Sequence, residues 1–228
     1  MAHHNSMNMT KLYPIITEAL LEQPAARQKL LDQLPALLKR DDVAALRLPV
    51  AKAPFPPFLN ALITLCHESG TALMAMPLPP ERARSLPLNA KSAGQQRLDG
   101  LHASSLGAWQ ALPRFTGHDA PQTGCCCASL DEAMQAGEAG ADYVSFQATE
   151  VAFFTLWNAM AELPAVAECG GTPESWPDMA RQAAMAGADF VAFPLPVTDD
   201  GTLDSAAIDA LGAAVLEGSA HHLAGEGA

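Results

Sequence analysis

One eleven-residue phrase occurs twice in this chain, as Ala136-Gly137-Glu138-Ala139-Gly140-Ala141-Asp142-Tyr143-Val144-Ser145-Phe146 and again as Ala183-Ala184-Met185-Ala186-Gly187-Ala188-Asp189-Phe190-Val191-Ala192-Phe193. Each copy reads as the end of an alanine-rich helix, a Gly suited to the left-handed cap that stops it, and an Asp in the turn. An apolar stretch follows that is too short for a helix and suited to a strand. Two copies of one helix-to-strand joint predict a repeated βα architecture.

A further strand candidate, residues 165–169, lies between the copies, so the repeat spans two βα units. The same spacing followed along the chain gives strand candidates at 12–17, 43–48, 71–76, 98–102, 122–127, 142–146, 165–169 and 189–193. Each is followed by a segment of helical length, such as 129–139 or 173–186. Eight βα units predict a closed parallel (β/α)8 TIM barrel, a single domain spanning residues 11–218. An open doubly wound sheet is the rival, but the first unit lacks a G-x-G-x-x-G turn and the even spacing favours closure. Residues 1–10, with His3 and His4, and residues 219–228 are expected to be flexible segments outside the barrel.

An apolar fraction of 49% with 17% charged and 6% aromatic residues predicts a core built mainly from Ala, Leu, Val and Met. No run approaches the roughly 18 apolar residues of a membrane helix, and the start lacks the basic and apolar regions of a signal peptide, so the cytoplasm is the expected location. Thirteen basic residues against 25 acidic ones, a net charge of −12, argue against nucleic acid and anionic membranes as partners. A phosphorylated small molecule stays open, because barrels hold phosphate largely through backbone N–H groups. Such a cup is expected at Gly170-Gly171-Thr172. These residues follow the seventh strand, with Thr172 as N-cap and Pro173 in the first turn. The five cysteines, three of them at 125–127, have no disulfide spacing and are expected to be reduced. Strand alternation sends Cys125 and Cys127 to one side and Cys126 to the other, which defeats a three-thiolate metal site.

The ordered set of motifs resembles thiamin phosphate synthase. Lys11-Leu12-Tyr13-Pro14-Ile15-Ile16-Thr17 is similar to the family's opening RLYLIT, and Asp99-Gly100-Leu101-His102 to its DGVHLGQ. Gly124 to Ala133, with Asp131-Glu132, resembles its fifth strand and helix start. Gly140-Ala141-Asp142-Tyr143-Val144 matches its GADYV, residues 167–171 its AIGG turn, and Gly187-Ala188-Asp189 its last strand. The resemblance covers nearly the whole barrel. It implies displacement of diphosphate from a hydroxymethylpyrimidine diphosphate by the nitrogen of a thiazole phosphate. Mg²⁺ is held there by carboxylates, and cations sit on the leaving group. It also implies a homodimer. The thiazole tautomerases, a second branch, isomerise a related thiazole phosphate by acid–base chemistry.

This chain departs from that pattern at several positions. Of the family's Gln-x-Arg-x-Lys on strand two only Arg47 survives. The metal-binding carboxylate of strand three is absent from Met74-Ala75-Met76-Pro77, so Mg²⁺ binding is doubtful. Ala103-Ser104-Ser105 replaces Leu-Gly-Gln, Cys126 and Ala128 replace Ser-x-His, and Gln147-Ala148-Thr149-Glu150 lacks the diphosphate-gripping threonines and lysine. Pro194 and Pro196 remove two backbone donors. Among the residues that remain, Arg47 suits an anionic group and His102 an acid or base near neutral pH, although a strand histidine can equally be a bonded wall residue. Asp99 is either a metal ligand or a turn residue satisfying backbone N–H groups. Asp142 and Asp189 are read as turn residues at the amino-terminal face, and Glu168 either enters the barrel mouth or is paired outside. Three functions follow: a synthase with a remodelled site, a non-catalytic barrel that binds a phosphorylated thiazole or thiamin phosphate, and a partner-binding barrel plugged by Met74, Met76 and Phe193. A tautomerase-like isomerase would need His102 as its acid–base group.

Overall fold

The computed structural model describes residues 9–51, 56–88 and 97–226, and eight parallel strands within them close into a barrel in chain order. The strands are β1 (Lys11–Ile15), β2 (Ala45–Val50), β3 (Ala72–Pro77), β4 (Gly100–Ala103), β5 (Gln122–Cys126), β6 (Tyr143–Gln147), β7 (Ala165–Glu168) and β8 (Phe190–Pro194). All eight expected strands are present, with ends within two residues of the expected ones. Closure is made by β1 against β8, with Lys11 opposite Phe190 through Ile15 opposite Pro194. The helices are α1 (Glu18–Glu22), α2 (Pro24–Leu38), α3 (Pro56–Ser69), α4 (Leu106–Gln110), α5 (Leu130–Glu138), α6 (Val151–Met160), α7 (Trp176–Met185) and α8 (Ser205–Glu226). None of the described helices is long and apolar enough to cross a membrane.

Strand alternation divides the interior into two cores. Leu12, Leu46, Leu73, Val144, Phe146 and Val191 point outward and pack under the helices. Phe146 meets Phe153, Phe154 and Trp157 there, ring edge to ring face, with centroids 5.5 to 6.0 Å apart. Tyr13, Met74, Tyr143, Val166 and Ala192 point inward and fill the lumen as a separate cluster. Their size explains two glycines. A Cβ on Gly124 would collide with the Tyr143 ring, and one on Gly100 with the Met74 methyl, so β4 and β5 give up side chains to make room for their neighbours'.

The twice-written phrase does what its residues predict. Gly140 and Gly187 have φ of +97° and +94°, and the N–H groups of Ala141 and Ala188 reach back to the carbonyls of Ala136 and Ala183 at 2.9 and 3.0 Å. The Asp that follows is a two-point clamp onto the preceding strand. Asp142 donates its N–H to the Thr123 carbonyl (2.7 Å) and accepts the Thr123 N–H on its carboxylate (2.6 Å). Asp189 does the same to Ala165, at 2.9 and 2.8 Å. A third copy, absent from the repeated phrase itself, is Asp99 on Leu73, at 3.0 and 2.8 Å.

Two expected boundaries are corrected. The helix expected over 173–186 begins as a 3-10 turn, Pro173–Ser175, before α7 starts at Trp176. The folded body also extends past 11–218. The α8 helix runs to Glu226, and Ser219 is buried. Ser219 accepts the Thr10 N–H at 3.1 Å, while the Thr10 hydroxyl donates to the Ala188 carbonyl at 2.8 Å. Gly218 lets α8 approach the Arg181 carbonyl on α7. Residues 1–8 and 227–228 of the segments expected to be flexible lie outside the described residues.

Candidate active site

At its carboxyl-terminal half the lumen turns polar. Arg47 on β2 is 3% exposed, and both ends of its guanidinium fork donate to Glu168 on β7, Nη1 to Oε2 at 2.9 Å and Nη2 to Oε1 at 2.8 Å. The Tyr13 ring lies against the guanidinium, its centroid 4.6 Å from Cζ. A hydrogen-bonded chain runs alongside: Tyr13 Oη to Tyr143 Oη at 3.2 Å, then Tyr143 Oη to His102 Nδ1 at 3.1 Å. His102 stacks on Tyr143 with centroids 5.7 Å apart, and its Nε2 stands 3.6 Å from Glu168 Oε1. A neutral imidazole that accepts at Nδ1 and turns Nε2–H toward the carboxylate satisfies both neighbours. Ser145 on β6 is fully buried, and its Oγ and the Arg47 Nε have no hydrogen-bond partner.

Charges in this space are strongly coupled. Burial is the largest influence on Glu168 and works against its charged form, but attraction to Arg47 and His102, together with hydrogen bonding from Arg47 and the facing Ser145 hydroxyl, holds the carboxyl below its usual range. Burial likewise opposes the Arg47 charge, and Glu168 together with Tyr13 and Tyr143 more than restores it. His102 has no such compensation: burial and the Arg47 charge push it down to about 3, against a smaller pull from Glu168. Burial raises both tyrosines, Tyr143 the more. At neutral pH the cluster therefore holds one ion pair, a neutral imidazole and two phenols.

In the loops that follow β7 and β8 the charged side chains are acidic: Glu174, Asp199, Asp200 and Asp204. Gly170 and Gly171 are exposed at the carboxyl-terminal face, where the sequence places them. Thr172 stands at the expected N-cap position but its side chain makes no capping bond to the turn; its carbonyl accepts from Ser175 N and Oγ at 3.0 and 2.8 Å, and the Gly170 carbonyl accepts from Trp176 Nε1 at 3.0 Å. The Thr172 hydroxyl lowers the Glu174 carboxyl pKa, which puts a carboxylate beside the cup. In the β8 loop the Leu195 N–H is spent on the Ile15 carbonyl (2.8 Å). The Asp200 side chain bonds Thr202 and Lys29. No cationic side chain occurs in residues 169–175 or 195–204.

Several sequence expectations are corrected by these positions. Arg47 reaches the lumen, as its place on β2 predicts, but its charge is already paired. His102 is a buried, bonded wall residue, its Nδ1 on Tyr143 and its Nε2 turned to Glu168, and burial with the Arg47 charge favours its neutral form. Asp99 lies at the amino-terminal face, spent on Leu73 N and 3.3 Å from His67 Nε2. It is the third clamp and not a ligand at the mouth. With Asp99 on the wrong face, methionines on β3 and Glu168 bound to Arg47, the described residues do not fit a carboxylate-held Mg²⁺. No group of three or more His, Cys, Asp or Glu side chains among them is arranged to hold a metal. Phe193 is no plug, because it faces the outer core against Trp176. Met74 lies deeper, lining a cavity of about 280 Å³ with Tyr13, Tyr143, Val166 and Phe190. All five cysteines are free thiols; Cys125 and Cys127 are buried outward and Cys126 is half-buried on the lumen side. Sequence reasoning missed Tyr13, Tyr143, Ser145 and the role of Glu168. The available signal was phase: each occupies a lumen position of an otherwise apolar strand.

Among known proteins, the thiamine-phosphate synthase of Rhodospirillum centenum is 32% identical over 174 residues, covering 70% of this chain and 77% of that protein. No family model matches. The thiamine phosphate pyrophosphorylase structure from Pyrococcus furiosus superposes with a TM-score of 0.63 over 94% of this chain and 99% of its own, at 20% identity. Orotidine 5'-phosphate decarboxylase from Pyrococcus horikoshii gives 0.56 over 89% and 97%, at 13% identity. These two likenesses bear on the fold alone. The sequence relationship goes further, and by it this chain belongs to the thiamine-phosphate synthase family, on a barrel whose lumen is built around an Arg47–Glu168 pair.

Proposed function

We propose that this barrel serves thiamin biosynthesis in the cytoplasm as a receptor for a phosphorylated thiazole or thiamin phosphate, held at Gly170-Gly171-Thr172. We propose further that it joins hydroxymethylpyrimidine diphosphate to thiazole phosphate slowly or not at all. The observation that carries this reading is the bidentate Arg47–Glu168 pair. The joining reaction needs positive charge on a departing diphosphate. Arg47 is the one cation left from the family's strand-two motif, and its charge is neutralised inside the lumen. Loss of one such electrostatic donor costs about 100-fold to 1000-fold in rate, and the strand-six lysine and strand-three carboxylate are missing as well. Binding is less demanding, because an exposed glycine turn can offer backbone N–H groups to a phosphate without a side-chain cation.

The test joins an assay to a binding measurement. Hydroxymethylpyrimidine diphosphate and thiazole phosphate are incubated with the protein, with and without Mg²⁺, and with Arg47→Ala as control. Thermal shift with thiazole phosphate and thiamin phosphate is measured on the unaltered chain and on Gly170→Asp, which places a carboxylate in the cup. The expected result is no metal-dependent product, and a ligand-induced rise in Tm that Gly170→Asp abolishes. Metal-dependent product that vanishes in Arg47→Ala restores the synthase reading. Absence of any ligand-induced shift retires the receptor.

A further inference from the structure

We propose that Arg47, His102 and Ser145 form a carboxylate-binding seat in the barrel lumen, and that the Glu168 side chain is its tethered occupant. The seat has the features of a ligand site. A planar fork offers two parallel N–H bonds to two oxygens of one carboxylate, at 2.9 and 2.8 Å, which is the geometry arginine provides for carboxylates. The fork is held from beneath by the Tyr13 ring, and the imidazole that faces the bound oxygens is fixed by Tyr143 at its other nitrogen. Two more donors border the same space: the buried Ser145 hydroxyl, which faces the Glu168 carboxylate and helps hold its pKa down, and Arg47 Nε, neither of which closes a full hydrogen bond while Glu168 is the occupant. A structural salt bridge needs none of these extra groups, whereas a receptor for a charged ligand keeps more donors around the charge than a tethered side chain can satisfy.

Its occupant comes from the strand that leads to Gly170, and Glu168 is 13% exposed against 3% for Arg47, so the carboxylate is the member nearer the mouth. Truncation at Cβ would vacate the atoms of one acetate ion and leave the seat intact. The proposal extends beyond the phosphorylated ligand assigned to the glycine turn and does not depend on it, because its probe carries no phosphate.

The experiment follows Tm of the full chain and of Glu168→Ala against increasing sodium acetate, with sodium chloride as the ionic-strength control and inorganic phosphate as a tetrahedral competitor. In Glu168→Ala, acetate is expected to raise Tm saturably by roughly 5 °C or more, chloride far less, and phosphate less than acetate. The unaltered chain and the double variant Arg47→Met/Glu168→Ala respond to acetate no more than to chloride. If Glu168→Ala folds only when acetate is present, the proposal also stands. A folded Glu168→Ala that does not distinguish acetate from chloride overturns it. So does a variant that stays unfolded in acetate while the double variant folds.

Discussion

The two ends of this barrel use their polar residues in opposite ways. At the amino-terminal face one residue type does one task three times: Asp99, Asp142 and Asp189 each clamp the first residues of the preceding strand through a carbonyl and an N–H. In the carboxyl-terminal half of the lumen the four groups around the charge are all of different types. Arg47, His102, Ser145 and Glu168 come from four different strands and meet only because the sheet closes. Repetition at a fixed phase identifies scaffold, and an unrepeated polar residue at a lumen phase identifies the site.

The largest expected effect tests the lumen. Removing either charge alone, as in Glu168→Leu or Arg47→Met, leaves its partner buried and unpaired and should cost about 3–5 kcal/mol in urea unfolding. The double variant should recover most of that loss, because an apolar pair needs no ionic partner. A double variant as unstable as the worse single would mean that packing, and not charge, governs the site.

The next effect is acid sensitivity. His102 has an ordinary value of 6.5 and is pushed down to about 3 in the fold. Above 6.5 it is neutral folded or unfolded. As pH falls, only the unfolded chain takes up the proton, so stability is lost progressively until about pH 3, and the loss should reach about 1.4 kcal/mol near pH 5.5. Glu168 adds its own loss only below its unfolded value of 4.5. His102→Gln should flatten stability between about pH 6.5 and 5. An unchanged slope would assign the acid response elsewhere.

The smallest effect concerns the clamps. Asp99→Ala, Asp142→Ala and Asp189→Ala should each cost about 1–2 kcal/mol and leave acetate binding by the Glu168→Ala seat unchanged. Metal-dependent stabilisation lost only in Asp99→Ala would blur the contrast between the two faces.

All eight strands were legible because each carries its outward core as a short apolar run between turn residues. Asp142 and Asp189 could be read as turn residues because they recur at one phase after a helix-capping glycine. Asp99 shares their task but follows no such glycine, so its Asp-Gly context alone fits a turn or a ligand equally well. The Arg47–Glu168 pair was not legible for a different reason. Its members are 121 residues apart, on strands that are not neighbours, and only the register of a closed barrel sets them face to face. Nor does local sequence distinguish an arginine waiting for a substrate from one already satisfied by the protein itself.

The clamps join β3 to β4, β5 to β6 and β7 to β8, but no equivalent carboxylate joins β4 to β5 or β6 to β7 among the described residues. Six of the eight strands thus form three stapled leaves with plainer seams between them, while β1 and β2 are joined without a carboxylate staple. Fragments cut at the seams keep every staple intact, whereas a cut inside a leaf destroys one. Anyone dividing or recombining this chain should therefore count in pairs of strands.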